Sequence, residues 1–116
     1  MRIGIVVLDE RDNPINGLIT ETIFKDSSEK IIYDLERVNR DYHKRWPGSY
    51  ILIGDHYKKM VKTTGDTLLF VGKLKNEIIF DQKYIVNTDS CRCHVYKIEG
   101  PDTIIVNKKI KKWGLF

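Results

Sequence analysis

Residues 26–46 read DSSEKIIYDLERVNRDYHKRW, and the fold reading turns on them. Asp26-Ser27-Ser28-Glu29 has the form of a capping box: a short polar side chain, then a glutamate that reaches back to the free N–H groups of a first turn. Ile31, Leu35, Val38 and Tyr42 follow at spacings of four, three and four, and Trp46 continues them. That spacing makes one apolar stripe over about four turns. Lys44 and Arg45 put positive charge at the negative end of the helix dipole. Pro47-Gly48 stops the run. The pattern predicts a helix over about 28–46.

Outward from this stretch the period is two. Upstream, Ile3, Ile5 and Val7 alternate with Gly4, Val6 and Leu8, a strand expected to be buried on both sides. Asp9 to Pro14 is a polar turn, and Asn16-Gly17 marks a short strand or tight turn. Downstream, strands are expected at 50–53, 67–71, 78–86 (one long strand with a bulge at 81–83), 93–98 and 103–106, joined by short connections at Lys73–Asn76 and Gly100–Asp102. Strands joined by short turns pair antiparallel. The expected fold class is α+β: a curved antiparallel sheet of about five to six strands with the one long helix packed on one face. The whole chain, 1–116, reads as one domain with a C-terminal tail at 107–116.

The chain has no alanine, sixteen isoleucines, and fourteen lysines against six arginines. Isoleucine and lysine codons are AT-rich, which suggests an AT-rich genome such as that of a phage, another virus or a low-GC bacterium. The longest apolar runs, Ile5–Leu8 and Leu68–Val71, fall far short of the ~20 residues that a membrane helix needs. Arg2 and a strand-like run follow Met1 without a small-residue cleavage site, so no secretory signal is expected. Two cysteines make no disulfide framework. A cytoplasmic location, inside a cell that could be an infected host, is the expectation.

The net charge of +4 is unevenly spread. Residues 1–57 hold eight cations against ten acids; residues 58–116 hold twelve against six. The second half therefore carries the candidate binding residues: Lys58, Lys59, Lys62, Lys73, Lys75, Lys83, Arg92 and Lys97, with Tyr57, Tyr84 and Tyr96 interleaved. Cations neutralise phosphates and aromatic faces stack bases. The tail adds Lys108, Lys109, Lys111 and Lys112, then Trp113-Gly114-Leu115-Phe116, which combines attraction for a polyanion with side chains that seek a docking surface. Arg37, Arg40 and Lys44 share one side of the predicted helix, but they stand at ion-pair spacing from acids and read as a solvated face.

Cys91-Arg92-Cys93-His94 offers soft ligands, but a structural zinc site needs four ligands, and His43 and His56 are far off in sequence. A pair of reduced strand cysteines is the plainer reading, and no metal or cofactor is expected. Asp55-His56 reads as a solvated loop pair rather than an acid–base pair. Asp66 at a strand start, followed by Asp81-Gln82-Lys83 in the next strand, resembles the core of the PD-(D/E)xK nucleases. The resemblance implies that Asp66 and Asp81 hold a divalent metal that activates water, with Lys83 positioning it or stabilising charge; Glu36 on the predicted helix would be the helix-borne acid of some members. The helix and further α/β elements expected after the lysine are absent.

These residues favour a small, non-enzymatic binding protein that engages nucleic acid or another polyanion through its basic sheet half and tail. Two alternatives stand beside it: a phage or viral accessory protein that binds and blocks a host protein, and the metal-dependent nuclease. A homodimer would cover exposed strand edges.

Overall fold

The computed structural model describes residues 2–34, 45–54, 57, 60–62, 64–89 and 94–106. Among the described residues there are eight strands and no helical element. They are β1 (Arg2–Asp9), β2 (Ile19–Phe24), β3 (Lys30–Asp34), β4 (Ser49–Gly54), β5 (Asp66–Leu74), β6 (Glu77–Thr88), β7 (Val95–Glu99) and β8 (Thr103–Val106). They form two sheets, β4-β1-β8 and β3-β2-β5-β6-β7. The second is antiparallel throughout; in the first, β1 is antiparallel to β4 and parallel to β8.

The α+β expectation is therefore corrected: the described chain is almost entirely β. Residues 30–34 of the expected helix are an edge strand, zipped onto β2 from Ile23↔Lys30 to Ile19↔Asp34. Residues 35–44 lie outside the described residues. The supposed capping box is a hairpin turn. Ser28 has φ 61°, its N–H donates to the Phe24 carbonyl at 2.8 Å, and the Phe24 N–H donates to the Glu29 carbonyl at 2.8 Å. The Ser27 hydroxyl accepts from the Glu29 N–H at 3.3 Å. Short polar side chains satisfy loose backbone groups equally well at a helix start and in a turn. The β preference of Ile31, Ile32 and Tyr33, together with a partner strand, decides between the two.

The later strands lie close to their expected places. Lys75 and Asn76, both with positive φ (51° and 67°), make a two-residue turn between β5 and β6, the connection whose twist suits a tight hairpin. The bulge expected at 81–83 falls elsewhere: β5 and β6 slip register between Gly72 and Lys73, opposite Ile79, and β6 and β7 slip between Ile85 and Val86. Nor is β1 buried on both sides. Ile5 and Val7 are fully enclosed, whereas Val6 and Leu8 are half-buried and Gly4 is exposed.

The sheets share one core. Ile5, Val7, Leu52, Ile104 and Val106 from the smaller sheet meet Phe24, Leu68, Phe70, Phe80, Tyr84 and Val86 from the larger. Phe70 packs on Phe80 at 5.6 Å and edge-on to Tyr84 at 6.0 Å between ring centroids. The Thr22 hydroxyl donates to the Leu52 carbonyl at 2.5 Å, a direct tie from β2 to β4.

Two buried tyrosines secure the chain where it passes between sheets. After β1, the Tyr50 hydroxyl donates to the Ile15 carbonyl at 2.7 Å and accepts from the Leu18 N–H at 3.1 Å. Before β8, the Tyr84 hydroxyl donates to the Pro101 carbonyl at 2.7 Å, and the Val6 N–H donates to the Asp102 carbonyl at 2.9 Å. Burial, with Asp102 nearby, pushes the Tyr84 hydroxyl above its ordinary pKa.

Candidate functional site

Among the described residues, three of the candidate cations are paired with acids. Lys62 pairs with Asp26 at 2.7 Å, Lys73 with Glu21 at 2.6 Å, and Lys97 with Asp102. Lys75 is exposed in the β5–β6 turn and Lys83 is exposed on β6. Lys58, Lys59, Arg92, Lys108, Lys109, Lys111, Lys112 and Trp113 lie outside the described residues, as do Arg37, Arg40 and Lys44. The interleaved tyrosines also separate. Tyr84 is in the core and Tyr96 is exposed. Tyr57 sits edge-on to Tyr33, with ring centroids 6.4 Å apart; burial, with Tyr57 beside it, pushes the Tyr33 hydroxyl up to about 12.

The nuclease-like set is not brought together. Asp66 pairs with Val86 and Asp81 with Val71, so the two acids stand five rungs apart, about 17 Å at strand spacing. They also face opposite ways. Asp66 shares the inner face with Leu68 and Phe70, is buried, and accepts the Lys62 N–H at 2.9 Å to close the preceding turn. Asp81 and Lys83 are exposed on the outer face. Glu36 lies outside the described residues, as do Cys91, Cys93, His43 and the Asp55-His56 pair. The His94 backbone N–H donates to Asp89 Oδ1 at 3.3 Å. Among the described residues no cluster of three or more potential metal ligands occurs.

What the fold does assemble is an apolar outer face on the five-stranded sheet. On β2 the usual polarity is reversed. Thr20 and Thr22 are fully buried on the inner face, while Ile19 is 39% exposed on the outer one. Thr22 is satisfied by Leu52, but among the described residues nothing reaches the Thr20 hydroxyl. Burying a hydroxyl costs free energy that burying isoleucine would not. The outward isoleucines are thus set against the demands of the core. Pairing extends the face into rungs: Lys30–Ile23–Leu69–Lys83, then Ile32–Glu21–Val71–Asp81, then Ile19–Lys73–Ile78. Ile32 is 59%, Ile78 57% and Leu69 38% exposed. A clustered apolar surface of this kind marks an interaction site more often than scattered single residues do.

Glu21 stands in the middle of the face, nearly enclosed, its carboxylate held by Lys73 at 2.6 Å and Lys30 at 3.3 Å. The Lys73 hydrogen bond outweighs the opposing effect of burial and, with help from Lys30, holds its carboxyl below the ordinary value of 4.5. The folded carboxyl therefore releases its proton more readily than the unfolded one. Its contribution to stability is full above about pH 4.5 and is lost as pH falls through the lower folded value. Glu21→Gln is expected to melt lower than the parent at neutral pH, with the gap narrowing as pH is taken below 4.5. Thermal melts across this range check it, and a gap independent of pH would refute it.

Beside Glu21 lies an open depression of about 370 Å³, lined by Ile23, Lys25, Thr67, Leu68, Leu69 and Lys83. Its floor is Ile23 and Leu69, and its two cations come from the end of β2 and from β6. Of these residues, sequence reasoning singled out only Lys83. The available signal was the Ile19-Thr20-Glu21-Thr22-Ile23 alternation, but patterning would turn the isoleucines inward. Among known proteins the chain matches no family model, no curated protein and no solved structure.

Proposed function

We propose that this chain is a non-enzymatic binding module and that it recognises a protein partner through the outer face of the five-stranded sheet. One observation carries the reading: Ile19, Ile32, Leu69 and Ile78 are exposed together on one sheet face while threonines occupy the buried side of β2. The pairing of Lys62, Lys73 and Lys97 with acids favours a protein over nucleic acid, because cations already neutralised release fewer counterions on a phosphate backbone. An accessory protein that binds and blocks a host factor, acting in the cytoplasm, is one form of this proposal.

The test compares affinity captures from a cell extract by the parent and by Leu69→Glu, with Lys75→Glu as a charge control away from the face. A partner retained by the parent and Lys75→Glu, and weakened at least about tenfold by Leu69→Glu, supports the reading, since central apolar contacts dominate interface energies. Fluorescence anisotropy with labelled DNA and RNA supplies the opposing outcome. Salt-sensitive binding that is unchanged by Leu69→Glu and weakened by Lys75→Glu would overturn it in favour of a polyanion ligand.

A further inference from the structure

Resting on that reading, we propose that the depression between β2 and β6 takes an extended acidic segment of the partner: an apolar side chain on Ile23 and Leu69, flanked by carboxylates at Lys25 and Lys83. The observations are geometric and electrostatic. Ile23 and Leu69 are directly paired across β2 and β5, and Leu69 is paired with Lys83 across β5 and β6. Lys25 lies at the end of the same face, its backbone N–H on the Thr67 carbonyl at 3.0 Å. Among the described residues no carboxylate makes an ion pair with Lys83 or Lys25; Asp26, the acid next to Lys25, is already held by Lys62 at 2.7 Å.

Two strand spacings across and two residues along put the two lysine backbones about 12 Å apart. An extended chain covers that distance in three to four residues. Side chains of an extended chain alternate, so an apolar residue midway between acids four positions apart matches the groove, whereas an anionic lipid with a single headgroup would meet only one of the two cations. The depression is open rather than enclosing, which suits a strand-like segment laid over it.

A second copy of the chain fits less well. Four strand spacings by the length of β2 give a face of about 400 Å², near half of the ~800 Å² per partner in a standard interface. The whole outer face carries Lys25, Lys30, Lys73 and Lys83 against Glu21, Asp81 and Glu99, with Asp34 at the register position beside Ile19, so the selective charge is that of the depression itself, which is lined by Lys25 and Lys83 and by no carboxylate. Charge complementarity selects an acidic partner.

The experiment selects displayed random decapeptides on the immobilised full chain, then measures the enriched peptide by fluorescence anisotropy. The expected pool has an apolar residue midway between acids four positions apart. Binding should fall about tenfold in Lys83→Glu, with melting unchanged, and should return when one of the two peptide acids, the one that meets position 83, is replaced by lysine. Enriched peptides without acids, lost in Leu69→Glu but indifferent to Lys83→Glu, would overturn this inference and leave the protein-binding reading standing. Peptides indifferent to Leu69→Glu would overturn both. A labelled single-stranded 20-mer that binds, loses affinity in Lys83→Glu and tolerates Leu69→Glu would overturn both in favour of nucleic acid. A failure to enrich any peptide would overturn the acidic-segment inference alone.

Discussion

Gly100→Ala is expected to lower stability by about 3–4 kcal/mol, from about 1–3 kcal/mol of backbone strain and a similar overpacking cost. Gly100 has φ +128°, and an added β-carbon would stand 2.1 Å from Tyr84 Cδ1 and 2.6 Å from Cε1. Real carbon atoms do not approach so closely, so either the ring or the turn must move. The ring is fully buried against Phe70, and its hydroxyl holds Pro101. The turn leads into β8. Both responses damage the passage from one sheet to the other. Thermal or urea unfolding measures the loss, and the Tyr84→Ala background separates its two causes. If the clash matters, Gly100→Ala should cost clearly less there; an equal cost would assign everything to the backbone. A melting point within a few degrees of the parent would refute the expectation.

Tyr50→Phe is expected to cost about 3 kcal/mol, because two buried backbone groups lose their partner at about 1–3 kcal/mol each. The hydroxyl both donates to Ile15 and accepts from Leu18. Leu18 is fully buried and Ile15 nearly so. The substitution removes a single oxygen and leaves the ring in place, so lost packing cannot explain the result. At this chain length the melting point should fall by roughly 4–8 °C for each kcal/mol. A shift below about 3 °C would mean that Ile15 and Leu18 find other partners.

The strands after Pro47 were legible because short alternating runs sit between strong turn signals. Gly100-Pro101-Asp102 separates β7 from β8, and the strand expected at 103–106 is β8. The Lys73–Asn76 connection was legible, although its last two residues alone make the turn. The strand at 3–8 is likewise legible, as β1, whereas residues 26–34 read as a helix start for a definable reason. Asp26-Ser27-Ser28-Glu29 serves a helix start and a turn with the same chemistry, and Ile31, the first residue of the helical stripe, is also a β3 side chain in the core, with Tyr33 packed against it. A stripe at helical spacing cannot reveal that residues 30–34 have a strand to pair with, since that information lies in β2. The candidate site was less legible still. Its lysines are visible as charges, but their acids come from elsewhere in the chain: Asp26, in the β2–β3 turn, for Lys62 and Glu21, on β2, for Lys73. Its apolar floor was hidden because β2 turns its isoleucines away from the core, against the rule by which a sequence is read.

The pairing of β1 with β8 bears on how the chain is made. Val6 meets Thr103 and Asp9 meets Val106, so β1 finds this neighbour only after the whole of the intervening stretch, β2 to β7, has been synthesised. Until then β1 has β4 on one side and an open hydrogen-bonding edge on the other. Contacts this distant in sequence slow folding, and an open edge invites pairing with another nascent chain. Growth temperature and the pace of translation should therefore govern the soluble yield more strongly than the stability of the finished fold does.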